Sequence, residues 1–260
     1  MKMVEGRTVL LELRAGSHLY GTNTPESDVD LRGVVLPLPE EIIGLGRFQQ
    51  QEKHGDEDTL YYSLPRYIQL LLKGNPNVNE WINADIIDYT VWGVVGAELR
   101  DNRARFLSKK LGLSALGYLN GMTKKMHNGG PTRDLGAKRK ALVERYGYDT
   151  KNASHAVRMA REIAELFETG VFNVKRTGDR EELIAIRNGS LTLEQAEHLI
   201  AGETARAEES FEKNAAGLSD KPDEKWANQF LMRWQGEIIL QFIERTAHAG
   251  AGAGASEEAR

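Results

Sequence analysis

The 260-residue chain contains no cysteine. That excludes a disulfide framework, a thiolate zinc site and a cysteine nucleophile. No apolar run approaches the roughly 20 residues that would cross a bilayer. The opening residues Met1 to Arg7 hold no apolar stretch of the kind a secretory leader needs. Nor is there an excess of positive charge, the formal net charge being −4. A polynucleotide partner would therefore have to use a local basic patch and not the field of the whole molecule. These absences lead us to expect a soluble, cytoplasmic protein with no membrane partner.

The residues present divide the chain by period. Residues 8–13 and 29–36 are short β-rich runs, the second stopped by Pro37-Leu38-Pro39, and residues 59–63 form a third. The acidic stretch 49–58 reads as a loop or hairpin. After Leu64 the period changes. Pro65 suits a first helical turn, Tyr67, Ile68, Leu70, Leu71 and Leu72 can bury one side of that helix, and Gly74-Asn75-Pro76 should end it. Residues 100–111, 113–126, 153–168 and 225–247 carry apolar positions at three- and four-residue intervals. Thr192 to Gln195 reads as a capping box opening a helix through Ile200, and residues 128–131 as a loop. The expected fold is α+β: a catalytic lobe with a small mixed sheet over residues 1–100, a mainly helical lobe over 101–247, and a disordered Gly/Ala-rich, acidic tail over 248–260.

One segment, residues 14–36, concentrates the chemistry. Strand alternation puts Asp28 and Asp30 on the same face. Two carboxylates at one strand start repel each other, and a divalent cation relieves the repulsion. Mg²⁺ takes oxygen ligands and keeps some of its waters, so such a pair and substrate phosphates can complete its shell. The preceding strand ends at Gly16-Ser17, where a residue without Cβ permits close backbone approach, and amide and hydroxyl groups can hold phosphate oxygens. A Gly-Ser turn alone, or Asp-x-Asp alone, is commonplace in solvated turns. Both together, in this order between two strands, point to phosphoryl-type transfer.

That segment resembles the Gly-Ser … Asp-x-Asp signature of the polymerase-β nucleotidyltransferase superfamily, and within it the RNA-repair-associated, or RNA-ligase-associated, branch of bacteria and phages. Residues 72–80, 102–107, 151–158 and 183–189 are similar to that branch's later blocks, so the resemblance extends to about residue 203. It implies a polymerase-β-type lobe followed by helices, with Gly16 and Ser17 binding the triphosphate and Asp28 and Asp30 holding two Mg²⁺ ions. A third carboxylate is implied on a neighbouring strand. Asp58 is our choice, with Asp56 and Glu57 beside it. The implied reaction is attack of an acceptor hydroxyl on the α-phosphorus of a nucleoside triphosphate such as ATP, with release of pyrophosphate. The branch implies an RNA acceptor, a tRNA end among the candidates, and functional association with an RNA ligase. Transfer to a protein or small-molecule hydroxyl, and a non-catalytic module binding NTP or RNA, are the competing readings.

In the second lobe Lys151, His155 and Arg158 share one face of a helix by spacing. The resemblance makes that face nucleotide-binding, where spacing alone suggests a solvated surface. Asn75, Asn77 and Glu80 read as turn and cap residues, and Arg187 as a cation completing a helix end. Tyr20 and His18 sit where rings usually pack. Lys124, Lys125, Arg133, Lys138, Arg139, Lys140 and Arg145 form the most basic stretch, with Tyr146 and Tyr148 as stacking faces. Lys138, Arg139 and Lys140 are the candidate RNA contacts. Trp226, Phe230, Trp234, Ile238, Ile239 and Phe242 read as a core stripe.

Overall fold

The computed structural model describes residues 2–25, 27–53, 58–127 and 137–257, and their side chains except at 52–53, 124–127, 137–138 and 248–257. The alternating run at the start becomes strands β1 (Met3–Val4) and β2 (Arg7–Ala15), followed by one helical turn, α1 (Ser17–Tyr20). Then come β3 (Asp30–Val35), the turn α2 (Pro39–Ile42), and the hairpin β4 (Gln50–Lys53) and β5 (Asp58–Ser63). A sixth strand, β6 (Tyr89–Trp92), was not foreseen from the sequence. In sheet order, β2 lies antiparallel to β3, β3 parallel to β5, and β5 antiparallel to β4, while β1 and β6 both pair with the other side of β2. The sheet is thus mixed, as expected.

Helix α3 (Leu64–Leu72) begins at Ser63, whose hydroxyl accepts from the Arg66 amide, with Pro65 in its first turn. The Gly-Asn-Pro punctuation that ends it also starts a helix. Asn75 caps α4 (Pro76–Ile82) by accepting from the Val78 amide, and Pro76 takes the position where a missing N–H costs nothing. Tyr67, Ile68 and Leu71 of α3 and Val78, Trp81 and Ile82 of α4 are buried beneath the sheet with Leu11, Leu13 and Val34.

The helical half is α5 (Val94–Asp101), α6 (Lys109–His127), α7 (Ala137–Tyr146), α8 (Thr150–Thr169), α9 (Arg180–Arg187), α10 (Leu193–Asn214) and α11 (Glu224–Glu257). The two helices expected over 100–111 and 113–126 are drawn differently. A 3-10 turn at Arg103–Phe106 buries Phe106, and a single helix, α6, follows. Helix α8 supplies the spine of a second core with Ala153, Ala156, Val157, Ala160, Ile163 and Ala164, packed by residues of α6, α9 and α10. The long α11 returns to the first core, where Ala227 and Phe230 are buried and Trp226 and Trp234 pack beside them. The apolar stripe read on this helix is covered only in its first half, because Phe242 is 41% exposed. The helix also extends into the segment for which no regular structure was expected. The loop read at 128–131 falls outside the described residues. No helix among the described residues is long and apolar enough to cross a membrane.

Candidate active site

The end of β2 and the start of β3 build the first wall. Ala15 pairs with Asp30 across the antiparallel ladder, and Asp30 pairs in turn with Asp58 across the parallel one. Two carboxylates therefore stand side by side at the ends of neighbouring strands. Asp28 lies just before β3 and not within it, so its place comes from the loop, and the same-face argument from strand alternation does not apply to it. Gly16 turns the chain from β2 into α1 at φ +62°, and a Cβ there would stand 2.6 Å from Asp30 Oδ2. No residue but glycine fits this approach without displacing the carboxylate. Three hydrogen bonds close the turn, Tyr20 N–H to Gly16 C=O, Gly21 N–H to His18 C=O and Thr22 N–H to Ser17 C=O. Arg32 lies 3.7 Å from Asp30 and donates to the Asp58 carbonyl.

The opposite wall comes from α7, α8 and α9. Together the two walls enclose a cavity of about 260 Å³ lined by Gly16, Ser17, Asp28, Asp30 and Asp58 on one side and Arg139, Lys151, His155, Arg158 and Arg187 on the other. Tyr20, Thr22, Ser154 and Leu183 complete the lining. Burial, then the nearby Arg187 and Arg139 charges, pull the Lys151 amine below its usual range, while Asp30 and Asp28 act to raise it. His155 is half-buried at the cavity. Burial first, and then Arg158 and Lys151, hold its imidazole well below its usual range, so it is neutral at physiological pH.

Every nucleotide-binding and catalytic candidate read from the sequence lines this one cavity. Of the three RNA-contact candidates, Arg139 does so, Lys140 is exposed outside it, and the Lys138 side chain lies outside the described residues. Asp56 and Glu57, the alternatives to Asp58, also lie outside them. Tyr148 offers no stacking face: it is buried and its hydroxyl donates to the Leu191 carbonyl. Glu80 exceeds the cap role read for its block. It is buried on α4, accepts from the Tyr20 hydroxyl at 2.7 Å, and accepts from Arg158 at 3.0 Å. Arg158 also pairs with Glu162 and lies over the Tyr20 ring, 3.5 Å from its centroid. Burial lowers and these carboxylates raise the Arg158 pKa, and the carboxylates win. Tyr20 thus both packs and lines the cavity. Two buried acids more than sixty residues apart, at positions 80 and 162, gave no sign in the sequence that they share one arginine.

Among the described residues no group of three His, Cys, Asp or Glu side chains is gathered closely enough to hold a metal ion. The donors along the first wall are nonetheless all oxygens.

The mixed sheet thus carries a Gly-Ser turn against paired aspartates and is faced by a cationic helix wall. The sequence model of the RNA repair pathway DNA polymerase beta family matches residues 2–233, and the chain belongs to that family. A protein of Enterobacteria phage T4, described as an uncharacterized 38.9 kDa protein in the nrdC-mobD intergenic region, is 30% identical over 123 residues, covering 40% of this chain and 34% of the phage protein. The chain thus matches about a third of that relative's length. A nucleotidyltransferase-like protein from Exiguobacterium sibiricum aligns in structure over 80% of this chain and 69% of that one, at 12% identity and a TM-score of 0.29.

Proposed function

We propose that the protein transfers a nucleoside monophosphate from an NTP to a hydroxyl of RNA, with Asp28, Asp30 and Asp58 as the acidic centre. The observation that carries this reading is the register of Asp30 beside Asp58, against the Gly16-Ser17 turn and across one cavity from Lys151.

The first wall suits divalent cations of the Mg²⁺ kind, since its donors are carboxylate and hydroxyl oxygens and the missing Cβ of Gly16 leaves open the space against Asp30 Oδ2. Asp28, Asp30 and Asp58 would hold such ions, which when bound supply charge neutralisation and a more acidic attacking hydroxyl. The amides and hydroxyl of Gly16-Ser17 cradle phosphate oxygens, and Lys151 meets their charge from the opposite wall. As the acceptor oxygen bonds to the α-phosphorus, the bond to the β,γ-pyrophosphate breaks. Asp58 offers a carboxylate to take the hydroxyl proton. His155, neutral and half-buried, packs edge-on against Tyr20 and helps shape the cavity. The RNA acceptor is supported by the family's RNA-repair context and by Arg139 in the cavity wall at the start of the basic α7.

The test incubates the protein with Mg²⁺ and each α-³²P nucleoside triphosphate, with cell RNA and cell protein in separate reactions. We expect label in RNA that disappears in Asp28→Ala/Asp30→Ala and with EDTA. Label in protein instead would replace the acceptor, and label with EDTA present would remove the metal.

A further inference from the structure

The cavity is lined by four cations, Arg139, Lys151, Arg158 and Arg187, and they do not stand in equivalent surroundings. The family resemblance made Lys151 and Arg158 on α8 the phosphate-facing pair. The partners of each side chain give a different division.

Arg158 is 2% exposed and committed to protein groups. One guanidinium nitrogen donates to both Glu80 and Glu162, the other lies 3.3 Å from His155 Nδ1, and the plane covers the Tyr20 ring. Turning this fork toward a phosphate would leave two buried acidic side chains, Glu80 and Glu162, without their hydrogen-bond donor, and burial makes that costly. Its contacts join three elements. Tyr20 belongs to α1, directly after Ser17. Glu80 belongs to α4, and Glu162 and His155 to α8.

Arg187 is the opposite case. It closes α9, half-buried at the cavity, and among the described residues its guanidinium makes no hydrogen bond or ion pair. Its position is nevertheless set, because the Thr150 hydroxyl at the start of α8 donates to the Arg187 carbonyl at 2.7 Å. That bond places the end of α9 one residue from Lys151. The two positive charges are close enough that Arg187 is the foremost charge opposing protonation of Lys151. Two cations brought together over a cavity, with paired aspartates across from them and no carboxylate bound to either in the described structure, form an anion site. Arg139 is less committed to the cavity, lying 3.8 Å from Asp149.

We propose that Arg187 and Lys151 are the cations that bind the triphosphate, and that Arg158 is a positioning residue holding the Ser17-Tyr20 turn to α8. This rests on the nucleotidyltransferase reading of the cavity and is independent of the acceptor.

Binding of α,β-methylene nucleoside triphosphates and of nucleoside monophosphates, titrated without acceptor, separates the roles. Arg187→Gln is expected to weaken triphosphate binding tenfold or more and monophosphate binding less than twofold. Arg158→Lys keeps the charge but loses the planar fork. It is expected to leave the ratio of the two affinities unchanged, lower kcat tenfold or more, and lower the melting temperature. An unchanged ratio in Arg187→Gln overturns the proposal, and so does a ratio that falls in Arg158→Lys. Tyr20→Phe and Glu80→Gln, which keep the shape of the network, are expected to lower kcat in the same way, with the double variant no worse than the worse single one. Additive losses would dissolve the positioning role. Failure of the RNA reading would show separately, as triphosphate binding that persists while no label enters RNA.

Discussion

At the level of single residues, His155 and Glu162 make opposite statements about pH. Burial and the surrounding cations hold the His155 imidazole low, so in the folded protein it stays neutral where the unfolded chain, titrating near its usual value of about 6.5, still takes a proton. Below that value the unfolded state binds more protons, and stability is lost as pH falls. Glu162 runs the other way. Burial pushes its carboxyl up to about 8 against the pull of Arg158, so the folded protein keeps a proton that the unfolded chain releases near 4.5. Its contribution is present at low pH and lost as pH rises toward 8. The two slopes oppose each other below about pH 6.5, and above it only the Glu162 slope remains. Melting curves should therefore show stability declining between roughly pH 6.5 and 8, by at most about 1.4 kcal/mol per unit for one proton. Glu162→Gln should flatten that decline. An identical slope in the variant would mean that the proton resides elsewhere.

Among the elements, α10 is the one whose start can be read most directly. The Thr192 hydroxyl accepts from the Gln195 amide at 3.2 Å, and Gln195 Oε1 accepts from the Thr192 amide at 2.9 Å, the reciprocal box that Thr-Leu-Glu-Gln spells. Thr192 is exposed and does not line the cavity, so Thr192→Ala should cost about 1 kcal/mol. In a protein of this size that is a melting shift of about 3 °C, with nucleotide affinity unchanged. A larger shift would mean that α10 carries more of the second core than its cap.

Other elements were less legible, for physical reasons. Asn75-Pro76 reads equally well as a stop or a start, because the same residues satisfy both kinds of helix end. β6 is four residues long, and only its pairing with Leu11, Glu12 and Leu13 makes it a strand. The 3-10 turn at Arg103–Phe106 depends on Phe106 finding a buried place among distant residues. Local spacing carries none of that information.

Across the whole molecule, the local signature Gly16-Ser17-…-Asp28-x-Asp30 was readable because its parts are close in sequence. The places of Arg187 in the cavity wall and of Glu80 beside Arg158 were not legible because they depend on contacts across the fold. Arg176 and Arg180 show the same limit. The Arg176 amide donates to the Tyr20 carbonyl, and Arg180 donates to the carbonyls of Gly21 and Asn23, pinning the approach to α9 against the end of α1. The return of α11 is equally long-range. Phe230 is 2% exposed in the core beneath the sheet, so Phe230→Ala should cost roughly 3–5 kcal/mol and lower the melting temperature by about 10 °C. Below the transition the folded fraction should still bind nucleotide normally. A variant that melts like the parent would show that the final helix is not part of the first core.

The enclosure of the cavity by two walls also has a consequence in time. Gly16 leaves the ribosome early, but the wall that faces it is complete only when Arg187 has been made, and Phe230 must follow before the core beneath the sheet is filled. At usual synthesis rates of about 5–20 residues per second, the Gly16-Ser17 turn waits roughly ten seconds or more for its counterpart. During that interval the nascent chain holds its aspartates without the cations that face them across the cavity, which is enclosed only when nearly all of the described chain has emerged.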